Sequence, residues 1–205
     1  MNQEFYEAFK MHEHIFLTLQ DVLKQSHHGN IGSYLMHPES FSYLIDNLDK
    51  QAALFARAKE CSVALEIGSY ACHSAFIMLI SNPTIKVECV DLCLFPHTEK
   101  CVSVLSAVFN GRITLNKGRS PNQLRFSCAR DADLIHIDGE HTSPSVNNDF
   151  DMVYEMAKPN AIIVFDDYDF NDVRNCVETA VSSNRIRSVE LYGRNSMSAI
   201  GILSK

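Results

Sequence analysis

The stretch Asp133-Leu134-Ile135-His136-Ile137-Asp138-Gly139-Glu140-His141 decides how this chain is read. A short apolar run ends abruptly in an acid, a glycine and a histidine. Runs of this length in a mixed sequence read as buried parallel strands. An acid at the carboxyl end of such a strand stands where open α/β sheets bind ligands. Two more runs end in the same way. Val63-Ala64-Leu65-Glu66-Ile67-Gly68 leads into a loop, and Ala161-Ile162-Ile163-Val164-Phe165 ends in Asp166-Asp167. Acids delivered to one sheet edge by several strands predict a ligand or metal site there.

Working outward, strands and helices alternate from Cys61 onward. Strands are expected at Ser62–Ile67, Lys86–Val90, Ile113–Asn116, Leu134–Ile137 and Ile162–Phe165. Helices are expected at Ser74–Ile80, Glu99–Phe109, Asn122–Ala129, Ser145–Met156 and Asn171–Val181. The last two strands, Ser188–Tyr192 and Met197–Leu203, have only Gly193-Arg194-Asn195-Ser196 between them, which signals an antiparallel hairpin. Before Cys61 the pattern is helical. Phe5, Phe9, Ile15, Phe16, Leu19, Val22 and Leu23 give an amphipathic helix over Glu4–Lys24. A second helix is expected over Phe41–Lys59, after a loop at Gln25–Ser33 that holds His27-His28-Gly29-Asn30 and Gly32. The division expected is an N-terminal helical segment, residues 1–60, and an α/β domain, residues 61–205. The segment would lid a pocket or make a subunit contact in a homo-oligomer.

Composition narrows the function classes. The chain has 205 residues, a formal net charge of −7 and no basic run. It offers no basic surface to nucleic acid or anionic membrane. No stretch is long and apolar enough to span a bilayer. The seven cysteines are odd in number, form no C-x-x-C pair and lie mostly in apolar stretches. This usage predicts a reducing compartment, the cytoplasm.

With its alternating core, terminal hairpin, Asp138-Gly139-Glu140-His141 after the fourth strand and Asp166-Asp167 after the fifth, the chain resembles the class I S-adenosylmethionine-dependent methyltransferases. The small-molecule O-methyltransferase branch is the nearer likeness, with its Asp-Gly-x-His and paired acids. The resemblance runs from about Cys61 to Lys205. It implies a Rossmann-like, seven-stranded, mostly parallel sheet with a C-terminal antiparallel hairpin and helices on both faces. It also implies methyl transfer from S-adenosylmethionine to a hydroxyl of a small molecule.

The candidate site residues follow from both arguments. Glu66, Gly68, Ser69, Tyr70 and Ser74 lie where the family places its cofactor loop. Glycine after the strand allows φ > 0 and a close backbone approach to a ligand. Ser74 would cap the next helix beside the methionine carboxylate. The family commonly has a second glycine where this chain has Cys72. Asp91 closes the second strand, roughly 20 residues after Gly68, a spacing that suits an acceptor for ribose hydroxyls. Gly118-Arg119-Ser120 would lie beside the adenine. Each of these is also readable as an ordinary turn or strand end.

Asp138, Asp166 and Asp167 form an oxygen-rich set of the kind that holds Mg²⁺ or another divalent cation. The alternative is a helix cap and hydrogen bonds to loop amides. A metal here would hold an acceptor hydroxyl and favour its ionised form. His141, beside Asp138, is the expected general base, and Asp138 would orient the site or share the cofactor contact. His136 reads as a core histidine, and His12, His14, His27 and His28 read as surface residues. Tyr168 and Phe170 either line the acceptor pocket or pack in the core. Two other functions compete. One is a binding module of the same fold that no longer catalyses, suggested by Cys72. The other is a nicotinamide-dependent oxidoreductase, disfavoured by the missing G-x-G-x-x-G.

Overall fold

The computed structural model describes residues 2–26 and 33–205. Its centre is a seven-stranded sheet in the order β3-β2-β1-β4-β5-β7-β6. The strands are β1 (Val63–Ile67), β2 (Lys86–Asp91), β3 (Ile113–Lys117), β4 (Leu134–Ile137), β5 (Ile162–Asp166), β6 (Ile186–Tyr192) and β7 (Ser198–Leu203). Strands β1 to β5 are parallel, and β7 runs antiparallel to both β5 and β6. The class I architecture expected from the sequence is therefore present.

The helices are α1 (Asn2–Met11), α2 (Glu13–Gln25), α3 (Leu48–Ala58), α4 (His73–Ser81), α5 (Pro96–Val108), the single turn α6 (Ser120–Gln123), α7 (Ser143–Met156) and α8 (Asn171–Ser182). Alternate strand residues feed two apolar layers. Ala64, Leu134 and Val164 face the layer that contains Phe5, Phe9, Phe55 and Phe76. Leu65, Ile135 and Ile163 face the layer of Phe150, Val153, Val173 and Val177 from α7 and α8. Burial on both faces explains why these strands read as continuous apolar runs.

The order of the last two strands follows from their composition. Ser198-Ala199-Ile200-Gly201-Ile202-Leu203 is almost wholly buried, so β7 lies inside the sheet. In β6, Arg187, Ser188, Glu190 and Leu191 are all exposed, and a register shift falls between Arg187 and Glu190. A charged, bulged strand suits an edge, where open backbone groups would otherwise invite pairing.

Three expected helices come out differently. The helix read over Glu4–Lys24 breaks at His12, where the His12 amide donates to Phe9 O at 3.0 Å and the ring Nδ1 meets Ala8 O at 2.9 Å. The break lets Phe9 and Phe16 meet edge-on at 5.5 Å across the junction. The helix read from Phe41 starts only at Leu48. Phe41 has a φ of 57°, and Tyr43 pairs with Met36 in an isolated bridge. Tyr43 stacks on Phe9 at 4.5 Å, a contact that a continuous helix would not have placed there. The helix read over Asn122–Ala129 is instead α6 followed by short 3-10 turns at Leu124–Phe126 and Cys128–Arg130.

The N-terminal segment is built into the core. Phe5 packs edge-on against Phe55 at 5.6 Å, and Phe9 meets Phe76 of α4 at 6.5 Å. One apolar cluster therefore crosses residue 60. Of the loop expected at Gln25–Ser33, residues 27–32 lie outside the described residues. Among the described residues, no helix is long and apolar enough to cross a membrane.

Candidate active site

The sheet order reverses between β1 and β4, and these two strands part at their carboxyl ends. Gly68 sits at that point with a φ of +83°, and a Cβ there would lie 2.0 Å from Asp138 O. The Asp138 amide donates to Ile67 O at 2.8 Å, and the Gly68 amide donates to Val90 O at 2.9 Å. The glycine is needed because three backbones meet with no room for a side chain.

The loop after Gly68 is organised by Asp91. Its Oδ2 accepts the Ser69 and Tyr70 amides at 2.7 and 3.1 Å, and its Oδ1 accepts the Cys93 amide at 2.6 Å. Tyr70 and Cys72 both adopt positive φ, 41° and 58°. Cys72 is fully buried among core residues, with its Sγ toward Thr98 O. Its side chain points away from the cavity, so it does not narrow the loop. Cys72 is also the N-cap of α4 and makes no side-chain cap. Ser74 therefore does not cap that helix. Its hydroxyl donates to Glu66 beneath the loop. Glu66 is wholly buried, lies 3.4 Å from His136 Nδ1 and accepts from Cys89 Sγ at 3.5 Å. Glu66 thus supports the loop from below, while Gly68, Ser69, Tyr70, Ser74 and Asp91 line the cavity above it.

That cavity has a volume of about 1060 Å³ and continues past Gly118, Arg119 and Ser120. Gly118 donates its amide to Asp91 O at 2.8 Å, and Ser120 donates its hydroxyl to Asp149. Asp149 belongs to none of the motifs legible in the sequence. It is a buried acid on the apolar face of α7, and that break in the helix pattern was its only signal. Burial pushes its carboxyl up to about 6.

The acids expected at β4 and β5 line the same cavity. His141 Nε2 lies 3.0 Å from Asp167 Oδ2 and 3.7 Å from Asp138 Oδ1. The adjacent carboxylates of Asp138 and Asp167 raise the imidazole to about 10, so it is protonated at neutral pH. Burial and the neighbouring Asp166 raise Asp138 to about 7. Phe170 lies 5.0 Å from the His141 ring and lines the cavity, whereas Tyr168 packs with the second apolar layer. His136 is a buried core histidine of β4, as expected.

Asp166 has a partner that the sequence did not reveal. Lys50 Nζ of α3 lies 2.6 and 2.8 Å from its two oxygens. Potential metal donors fall into two groups, His136–Asp138–Asp166 and Asp138–His141–Asp167, each with its donor atoms within 4.8 Å of one another. The expected trio is split between them. A divalent cation shared by all three acids would have to compete with Lys50 for Asp166, whereas Asp138, His141 and Asp167 bring their donor atoms together without it. His73 is a further unforeseen lining residue. Its Nδ1 meets Ser33 Oγ at 2.8 Å, and burial lowers it to about 3, so it is neutral.

Solved structures share this fold at low identity. The O-methyltransferase TomG of Streptomyces achromogenes, solved with SAM, is 13% identical, with 93% of this chain and 90% of that chain covered and a TM-score of 0.68. An O-methyltransferase of Bacillus cereus, solved with SAH, is 16% identical over 91% and 90%, with a TM-score of 0.66. The SAH-bound methyltransferase PaMTH1 of Podospora anserina is 15% identical over 76% and 78%, with a TM-score of 0.62. No curated protein matches the sequence. A family model described as a methyltransferase domain matches residues 65–168. That match covers half of the chain and runs from β1 past the paired acids of β5, so the chain belongs to the methyltransferase-domain family and is a class I methyltransferase.

Proposed function

We propose that this enzyme transfers a methyl group from S-adenosylmethionine to a hydroxyl of a small molecule. The observation that carries this reading is one cavity at the strand-order reversal. It is lined both by the Gly68–Asp91 loop and by Asp138 and His141. The O-methyltransferases of like fold, solved with SAM or SAH, support the donor and the oxygen acceptor.

The donor end suits the nucleoside. The missing Cβ at Gly68 lets the loop pass directly against the Asp138 backbone, and both line the cavity. Asp91 Oδ1 accepts a single N–H and keeps acceptor capacity for a ribose hydroxyl. Asp149 offers an acceptor to a purine amine beyond Gly118. When bound, S-adenosylmethionine supplies an electrophilic methyl on its sulfonium.

At the acceptor end the expected roles exchange. His141 is held as an imidazolium, so it donates to the oxygen rather than taking its proton. Asp138, poised near neutrality, is the better proton acceptor. Asp138 would take the proton of the acceptor hydroxyl, and S-adenosylmethionine, when bound, would supply the methyl and leave as the neutral thioether. The cation of His141 steadies the charge that develops on the oxygen. Divalent metal assistance is not part of this reading, since Lys50 and His141 already supply cations to the acids.

Calorimetric titration tests the donor. S-adenosylmethionine and S-adenosylhomocysteine should both bind the wild type, and Asp91→Ala should weaken both. No heat with either ligand at millimolar concentration would overturn the reading. A screen of phenols, catechols and sugar hydroxyls, read by S-adenosylhomocysteine release, then finds the acceptor.

A further inference from the structure

The acids at the strand ends are matched by a cation from a distant part of the chain. Lys50 stands in the first turn of α3 and is only 3% exposed, yet it borders the cavity. Its ammonium grips both oxygens of Asp166 and lies 4.1 Å from the centre of the Tyr34 ring. A buried ammonium is unfavourable unless it is paired and held. Here it is held from several sides. Tyr34 covers it, and Gly193 packs so closely on its stem that a Cβ there would lie 3.3 Å from Lys50 Cβ. Asp49, the preceding residue, accepts the Gly193 amide at 2.9 Å.

Of the two groups of potential metal donors, His136–Asp138–Asp166 needs an oxygen of Asp166, whereas Asp138–His141–Asp167 does not. His136 is buried against Glu66, and His141 lies against Asp138 and Asp167. Both oxygens of Asp166 lie within 2.8 Å of Lys50 Nζ, and Oδ2 accepts its hydrogen bond. We propose that Lys50 is a resident cation that takes, at Asp166, the place of a divalent metal ion. It acts through Asp166 and is a positioning residue. An ammonium fixed by the fold gives the acids a permanent counter-charge, whatever metal the solution holds. The use made of that charge rests on the methyl-transfer reading. The presence of the resident cation does not.

The test is Mn²⁺ binding, followed by electron paramagnetic resonance on wild type, Lys50→Met, Lys50→Arg and the double variant Lys50→Met/Asp166→Asn. Wild type and Lys50→Arg should show no stoichiometric site. Lys50→Met vacates Asp166 and should gain one site at least tenfold tighter, and the double variant should lose it. A merely structural ion pair predicts a lower melting temperature in Lys50→Met and no gain of metal, and that result would overturn the proposal. So would one tightly bound Mn²⁺ in the wild type, a result that holds even where Lys50→Met fails to fold. Lys50→Gln provides a second vacated variant. Calorimetry with S-adenosylhomocysteine runs in parallel. Failure of wild type to bind it overturns methyl transfer and leaves the Mn²⁺ result for Lys50 intact.

Discussion

Gly68 and Asp138 meet where the two central strands part, and both positions carry predictions. At Gly68 a methyl group would strike the Asp138 carbonyl, and the φ of +83° disfavours any side chain. Gly68→Ala should lose about 1–3 kcal/mol of stability in a urea titration. It should also weaken S-adenosylhomocysteine at least tenfold by calorimetry, because the loop must move. At Asp138 the chemistry is exposed to test. Asp138→Asn should cut turnover by about 10²–10⁴ and leave S-adenosylhomocysteine affinity within a few-fold of wild type. The wild-type rate should rise through about pH 7, where Asp138 loses its proton. That limb should be absent from the variant, and its persistence would assign the proton to another group.

The N-terminal helices were legible as amphipathic, but their place in the molecule was not. Phe5, Phe9, Phe55 and Phe76 form one aromatic layer under the sheet, so α1 and α3 complete the core rather than decorate it. A chain beginning at Glu60 would expose that layer to water. It should show no cooperative thermal unfolding and no S-adenosylhomocysteine binding. A folded, binding-competent truncation would show the segment to be separable after all. The element boundaries that the sequence misplaced share one cause. At His12 and at Phe41–Leu44, tertiary contacts of Phe9, Phe16 and Tyr43 overrode helical periodicity. The order of β6 and β7 was readable in principle, since an almost wholly apolar strand belongs inside a sheet and a charged one at its edge.

At the scale of the whole molecule, global stability should carry the signature of the acidic cluster. His141 is raised by the adjacent carboxylates of Asp138 and Asp167, from an ordinary 6.5 to about 10. A group with a raised folded pKa stabilises fully below its unfolded value and loses that contribution as pH climbs through the folded value. The melting-temperature gap between wild type and His141→Ala should therefore be widest below about pH 6.5 and close toward pH 10. A gap independent of pH would mean that the imidazolium does not pair with these acids.

The sequence by itself determined the alternating architecture, the strand ends that meet at the crevice, the need for glycine at position 68 and the acids at 91, 138, 166 and 167. These features are local. A strand is written in its own apolar run, and the residues just after that run fall at the sheet edge whichever strands flank it. Only the tertiary structure decided which charges meet. Lys50 and Asp166 are separated by 116 positions, and no local pattern marks them as a pair. Neither the protonated state of His141 nor the readiness of Asp138 could be read from residue type, because both depend on which charges and how much water lie within a few ångströms.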